Sequence, residues 1–231
     1  MNITFVIFCF NERKNIESVI LSTLHVANTL SSTYEIIVVD DGSTDGSEEV
    51  IKQYPQLKYI RHATNKGIGT ALQTGYSSAS KEFVCAIPGD GQFDVSELLQ
   101  LKPFGFYTIY SFYRPETNYN YYRRLLTTGN KLFNRFFLGI KLKDVNWIKV
   151  YRKDQLNFVQ PQLRSSLVES EICAKLIKSG CSAIEIPSAY LERKAGISTG
   201  GSWKTLSKAI TEIIELCKEV YSFNKKPKFD K

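Results

Sequence analysis

The stretch Glu35-Ile36-Ile37-Val38-Val39-Asp40-Asp41-Gly42-Ser43-Thr44-Asp45-Gly46-Ser47 decides the fold. Its first half is apolar and β-branched, the composition of a strand buried on both faces. The run then breaks into two carboxylates, a glycine and a serine, and Ser43-Thr44-Asp45-Gly46 offers a cap for a helix over 47–54. A buried strand, a polar turn and a helix in succession form the start of a βα unit, and such units need parallel neighbours.

Those neighbours lie on either side. Residues 3–9 read as a buried strand, six of the seven being apolar, and 15–30 as a helix with Ile16, Val19, Ile20, Leu24 and Ala27 on one stripe. Downstream, 57–62 reads as a strand, 67–79 as a helix and 83–87 as a strand. The spacing further predicts a strand over 103–113, a helix over 119–138, a strand over 145–151, a helix over 167–179 closed by Gly180, a strand over 183–187 and a helix over 205–221. This order implies an α/β fold, a mostly parallel twisted sheet with helices on both faces. One domain over 1–205 is expected, followed by an amphipathic helix and basic tail over 206–231.

Composition narrows the class. Thirty Lys and Arg against 23 Asp and Glu leave a net charge of +7 on 231 residues, and a hydrophobic share of 43% excludes a disordered chain. No apolar run reaches the roughly 18 residues of an ordinary transmembrane helix, and Met1-Asn2-Ile3-Thr4-Phe5 makes a poor signal peptide. Cysteines at 9, 85, 173, 181 and 217 form no C-x-x-C. With His25 and His62 as the two histidines, a zinc cluster or Ser-His-Asp chemistry has little to draw on, and a reducing cytoplasm fits. A net positive charge attracts anionic partners in general.

Ligands on an open α/β sheet bind outside the carboxyl ends of the strands. Three such ends carry polar residues: Phe10-Asn11-Glu12, Asp40-Asp41 and Pro88-Gly89-Asp90-Gly91-Gln92. The Asp40-Asp41 pair suits hydrogen bonds from a nucleobase or ribose; it equally suits a capped turn. Asp90 and Gln92 lie two apart in a Gly-flanked loop, and such oxygen donors suit Mg²⁺ or Mn²⁺; P-G-D-G is also strong turn chemistry. Arg114, Arg123, Arg124 and Arg193 supply planar forks for phosphate, each also explicable as a solvated side chain. Arg193 opens a Gly-rich stretch containing Ser198, whose backbone N–H groups suit a phosphate. Gly67-Ile68-Gly69 lacks the third glycine of a dinucleotide fingerprint, and no Walker A lysine is present.

Taken together, these segments resemble a family 2 glycosyltransferase of the GT-A fold, of the polyprenol-phosphate sugar transferase kind. Val6-Ile7-Phe8-Cys9-Phe10-Asn11-Glu12 resembles the family's V-I-P-x-Y-N-E, with Phe8 at the proline, and residues 38–47 (VVDDGSTDGS) match its nucleotide motif almost letter for letter. Asn65-Lys66-Gly67 resembles its N-x-G element. The family's D-x-D-x-Q appears here as Pro88-Gly89-Asp90-Gly91-Gln92, one carboxylate short, which either weakens metal affinity or shifts the load to Asp94 or the substrate diphosphate. Residues 111–114 (SFYR), 144–152 (DVNWIKVYR, with Trp147 and Ile148 where Gly and Phe are usual) and 192–198 resemble later motifs.

The resemblance implies inverting transfer of a sugar from a nucleoside diphosphate sugar. Phe10, Asn11, Glu12, Asp40, Asp41 and Lys66 would bind the nucleotide, and Asp90 and Gln92 the Mg²⁺ or Mn²⁺. Asp144, Arg123 and Arg193 would be catalytic; Arg114, Arg124 and Ser198 would hold an acceptor phosphate. A polyprenyl phosphate acceptor, already ionised, is favoured by the arginines; a saccharide hydroxyl, with Asp144 as base, or a non-catalytic nucleotide-sugar binder stand as alternatives. No nucleic acid partner is expected, a homo-oligomer is left open, and a peripheral contact at the inner face of the membrane is suggested by the apolar stripe over 206–220 beside lysines.

Overall fold

The computed structural model describes residues 1–30, 33–115, 121–192, 203–224 and 226, with the side chains of 121–124, 126 and 203–210 left undescribed. One seven-stranded sheet runs through it in the order β3-β2-β1-β4-β6-β5-β7. The strands are β1 (Ile3–Cys9), β2 (Tyr34–Asp40), β3 (Lys58–Arg61), β4 (Phe83–Pro88), β5 (Thr108–Tyr113), β6 (Lys149–Arg152) and β7 (Ser182–Pro187). The helices are α1 (Ile16–Leu30), α2 (Ser47–Ile51), α3 (Ile68–Ser78), α4 (Tyr121–Phe137), α5 (Lys153–Val159), α6 (Val168–Lys178) and α7 (Trp203–Ser222), with a 3₁₀ turn at Val95–Gln100.

β1 pairs in parallel with β2 and β4, β2 with β3, and β5 with β7; β6 alone runs antiparallel, between β4 and β5. Six carboxyl ends therefore share one rim, and the reversed β6 brings its amino-terminal approach, residues 144–148, to that same rim. Alternate side chains of the central strands feed two cores. Val6, Val39, Val84 and Tyr151 pack with α3, α5, α6 and the end of α7. Phe5, Ile7, Val38, Cys85, Ile87 and Phe112 pack with α1 and the 3₁₀ turn on the other face. Gly75 lets α3 approach the sheet, since a Cβ there would stand 2.1 Å from Val6 Cγ1.

Several expected elements differ. The strand over 103–113 shrinks to β5: Pro103 lacks an N–H, and Phe104 and Phe106 turn into aromatic contacts with Phe83 and Phe158. The strand over 145–151 begins only at Lys149, because the buried Lys149 ammonium donates to the carbonyls of Asp144, Val145 and Trp147 and curls that segment into a loop. The helix over 47–54 is shorter. Gly46, left-handed at φ 91°, stands at its N-cap, and the Asp45 carboxylate accepts from Ser47 N and Oγ. The 3₁₀ turn and α5 had no clear apolar period to announce them.

α7 begins at Trp203, so the expected boundary at 205 falls in its first turn. Its Leu216, Val220 and the following Phe223 are buried in the first core. Buried Lys175 of α6 ties the helix pair together, reaching Glu171 at 2.5 Å and Glu219 at 2.8 Å.

Candidate active site

At the rim, the ends of β1 and β2 are stitched to each other. Asn11, itself left-handed at φ 56°, accepts from Thr44 N through Oδ1 at 2.8 Å, and its own N–H donates to Ser43 Oγ at 2.9 Å. Asn tolerates this backbone because its short amide satisfies local donors. Glu12 N donates to Ser47 Oγ, and Glu12 Oε2 accepts from the buried Asn15 amide at 2.7 Å. Phe10 is half-buried beside them.

Asp40 and Asp41 are both buried and both engaged within the chain. Asp40 accepts from Ser43 N and Tyr59 Oη at 2.8 and 2.9 Å. Asp41 accepts from Lys66 N at 2.9 Å and Gly67 N at 2.7 Å, with His62 Nδ1 at 2.6 Å. The second aspartate thus fixes the Asn65-Lys66-Gly67 turn against β2, with the exposed Lys66 chain carried at the rim. His62, whose Nε2 meets Thr74 Oγ1 at 3.0 Å, buttresses it from α3. Sequence reasoning passed over His62, a lone histidine at the end of a short strand.

The loop after β4 is drawn close to β1. Gly89 N donates to Phe8 O at 2.9 Å, and a Cβ at Gly89 would stand 2.8 Å from the Cys9 Cβ. Asp90 follows, half-buried, its carboxyl pushed up by burial and pulled back by the N–H groups of Gln92 and Asp90 and by the Arg114 charge. A carboxylate so desolvated favours a cation beside it. Gln92 spends its amide NH₂ on Tyr190 Oη at 2.7 Å, which leaves the hard carbonyl oxygen Oε1 as its remaining group. Asp94, considered above as a substitute ligand, uses its Oδ1 to cap the 3₁₀ turn, accepting from Ser96 N at 3.0 Å and Ser96 Oγ at 2.6 Å. Among the described residues no three His, Cys, Asp or Glu side chains gather as a metal cage. The hard oxygen pair of Asp90 and Gln92 fits Mg²⁺ or Mn²⁺ as a partial set, its remaining positions left to substrate and water.

Across the rim, Arg114 is set among aromatic rings. Arg114, at the end of β5, donates from Nε to Asp144 Oδ2 at 2.8 Å. Its guanidinium lies 4.3 Å from the Trp147 ring centre and 5.4 Å from that of Tyr190. Trp147 Nε1 donates to Ser188 Oγ at 3.0 Å, and Tyr190 is pinned by the Phe93 bridge and by Leu191 N donating to Gln92 O. Tyr190 therefore touches both Gln92 and Arg114. Neither it nor Trp147 was singled out as a site residue; Trp147 was visible only as a departure from the family's glycine.

Arg193 and Ser198 lie outside the described residues, and Arg123 and Arg124 are described only as positions in the first turn of α4.

The Glycosyl transferase family 2 profile matches residues 4–155. The chain is 26% identical over 208 residues to polyprenol monophosphomannose synthase of Mycolicibacterium smegmatis, spanning 82% of this chain and 77% of that one. It is 28% identical over 231 residues to dolichol-phosphate mannosyltransferase of Pyrococcus furiosus, covering 93% of this chain but 62% of that relative's length. Among solved structures, glucosyl-3-phosphoglycerate synthase of Mycobacterium tuberculosis, crystallised with Mn²⁺, UDP and phosphoglyceric acid, superposes with TM-score 0.67 at 18% identity, over 97% of this chain and 80% of that one. The rim, the topology and the profile agree: this chain belongs to glycosyl transferase family 2 and is a glycosyltransferase of the GT-A fold.

Proposed function

We propose that the protein transfers a sugar, with inversion, from a nucleoside diphosphate sugar to a polyprenyl phosphate. The observation that carries this reading is the Arg114/Asp144 pair. Asp144 has Arg114 Nε on one oxygen at 2.8 Å and Asn146 N on the other at 3.2 Å. A hydroxyl acceptor needs a proton acceptor, and both oxygens of this carboxylate are already engaged within the chain. An ionised phosphate needs none. It needs cations at the rim, and Arg114, the α4 arginines 123 and 124, and Arg193 with Ser198 are the groups assigned to it. The named relatives that act on polyprenol and dolichol phosphates point the same way.

On the donor side, Phe10, Asn11 and Glu12 border the nucleotide, and Asp40 and Asp41 shape its floor by holding the Ser43 and Lys66 turns. Asp90 and Gln92 would hold Mg²⁺ or Mn²⁺, which supplies Lewis-acid neutralisation of the leaving diphosphate. Lys66 and Arg193 add positive charge where the leaving group develops negative charge. Arg114 keeps the anionic acceptor on the opposite side of the sugar, and its own orientation comes from Asp144 and the Trp147 and Tyr190 rings.

The test is product formation from radiolabelled UDP- and GDP-sugars offered in turn a detergent-dispersed polyprenyl phosphate, a free polyprenol and a saccharide. Label passing to the phosphate but not to the polyprenol is expected. Transfer to the saccharide alone would overturn the acceptor, and no transfer with any donor would overturn the reaction.

A further inference from the structure

Four of the eleven large apolar side chains left exposed among the described residues, Phe137 included, lie on α4, more than on any other element. Leu125, Leu132 and Phe136 of α4 are 60%, 50% and 74% exposed. Spaced i, i+7 and i+11, they form one stripe along the outside of the helix. The opposite face is inward, where Phe133 packs on the core and Asn134 is buried. Each of the last two stripe residues follows a basic one, giving Lys131-Leu132 and Arg135-Phe136, both pairs exposed; in sequence Arg124-Leu125 repeats the pattern one turn pair earlier. At its carboxyl end α4 meets α7: Tyr221 Oη donates to Phe137 O at 2.8 Å. α7 adds exposed Ile214, Lys218 and Tyr221, spaced i, i+4 and i+7. Among the described apolar positions of the stripe read from sequence over 206–220, Ile213 and Val220 pack into the first core and Ile214 stays exposed.

A stripe of leucine and phenylalanine beside a row of cations has the chemistry of a lipid interface: rings and branched chains enter the acyl boundary while ammonium and guanidinium groups meet phosphate headgroups. In sequence α4 lies between Arg114 and Asp144, and those two residues form an ion pair at the rim. We propose that the outer face of α4, continued by Ile214, Lys218 and Tyr221 of α7, docks the protein on an anionic membrane surface, with the acceptor side of the active site at the edge of the contact. The docking stands on exposure and charge; that a polyprenyl phosphate is what the contact delivers rests on the reading above.

Vesicle co-sedimentation tests it, with the full chain and liposomes of phosphatidylcholine alone or mixed with phosphatidylglycerol, both free of polyprenyl phosphate. Binding to the anionic vesicles that weakens with salt is expected, with little to the neutral ones. Leu132→Glu/Phe136→Glu and Lys131→Glu/Arg135→Glu should each lower the partition coefficient about tenfold or more, while Leu99→Glu, an exposed leucine on the 3₁₀ turn, leaves it unchanged. Nucleotide-diphosphate thermal shifts equal to wild type certify that the variants fold. Wild-type protein that ignores anionic vesicles, or stripe variants that bind as well as wild type, would overturn the proposal. So would a dimer in light scattering that the stripe variants dissociate without any change in lipid binding, which would make the face a contact between copies. Vesicle binding without transfer to the dispersed lipid would sink the acceptor reading and leave the docking standing.

Discussion

The two halves of the rim are built on different physics. One half, around β1, β2 and the 62–67 turn and proposed above to take the nucleotide, is held by carboxylates and an amide that accept backbone N–H groups: Asp40 from Ser43, Asp41 from Lys66 and Gly67, Asn11 from Thr44. The other half, around β5, β6 and β7 and proposed to take the acceptor, is held by rings stacked on a guanidinium and one ion pair. Backbone-directed hydrogen bonds fix a loop wherever the chain is the same shape. Stacking fixes a charge only while particular side chains are present. The first half is therefore a template and the second a choice.

The contrast can be tested at Asp90, in the loop after β4, the strand that separates the two halves. Asp90→Asn should cost about a hundredfold to a thousandfold in kcat and abolish Mn²⁺ binding in calorimetry; a variant that still binds the ion would move the metal away from this loop. Next in size, Arg114→Lys keeps the charge but loses the planar fork and much of the stacking, and kcat/KM for the acceptor should fall about thirtyfold with the KM for donor unchanged. A parallel loss on the donor side would erase the distinction between the halves. Pro88→Asp restores the carboxylate that the family pattern places there and should tighten Mn²⁺ binding about tenfold; no gain would show that the substrate diphosphate already fills that position. Tyr190→Phe retains the ring and removes the hydroxyl that holds Gln92, for a loss of about 1 kcal/mol, read as roughly fivefold weaker Mn²⁺ binding with acceptor KM unmoved.

The smallest effect is a control at the opposite end of β2. There Glu35 is raised by burial but lowered further by the Ser80 N–H, the Thr4 and Ser80 hydroxyls and the Lys58 charge, so its carboxyl sits below the ordinary glutamate value. A depressed pKa gives stability that is present above the unfolded-state value near 4.3 and lost as pH falls through the folded one. Solvent screening keeps this under about 1 kcal/mol. Thermal melts of Glu35→Gln should run slightly below wild type at neutral pH and converge with it in acid, with no change in catalysis.

These halves were not equally legible. The strands that build the parallel block announce themselves as unbroken β-branched runs, and VVDDGSTDGS names its turn because carboxylate, glycine and hydroxyl are what such a turn requires. What could not be read was which turn those carboxylates hold: nothing in the spacing says that Asp41 faces Lys66 N and Gly67 N. In the other half, Pro103-Phe104-Gly105-Phe106-Tyr107 is apolar enough to pass for strand, and the loop at 144–148 exists because one buried lysine gathers three carbonyls, a long-range solution invisible to periodicity. Asp94 showed a carboxylate at a suggestive spacing and proved to be a cap. The cluster of Arg114, Trp147 and Tyr190 joins residues from three separate strand ends, so only the fold assembles it.

The lone reversed strand has a topological corollary. Because β6 enters the rim from its amino end, the chain leaves the rim at Arg114 and re-enters it at Asp144 through one ion pair, so length changes between them are expected to leave β1, β2 and their turns in place.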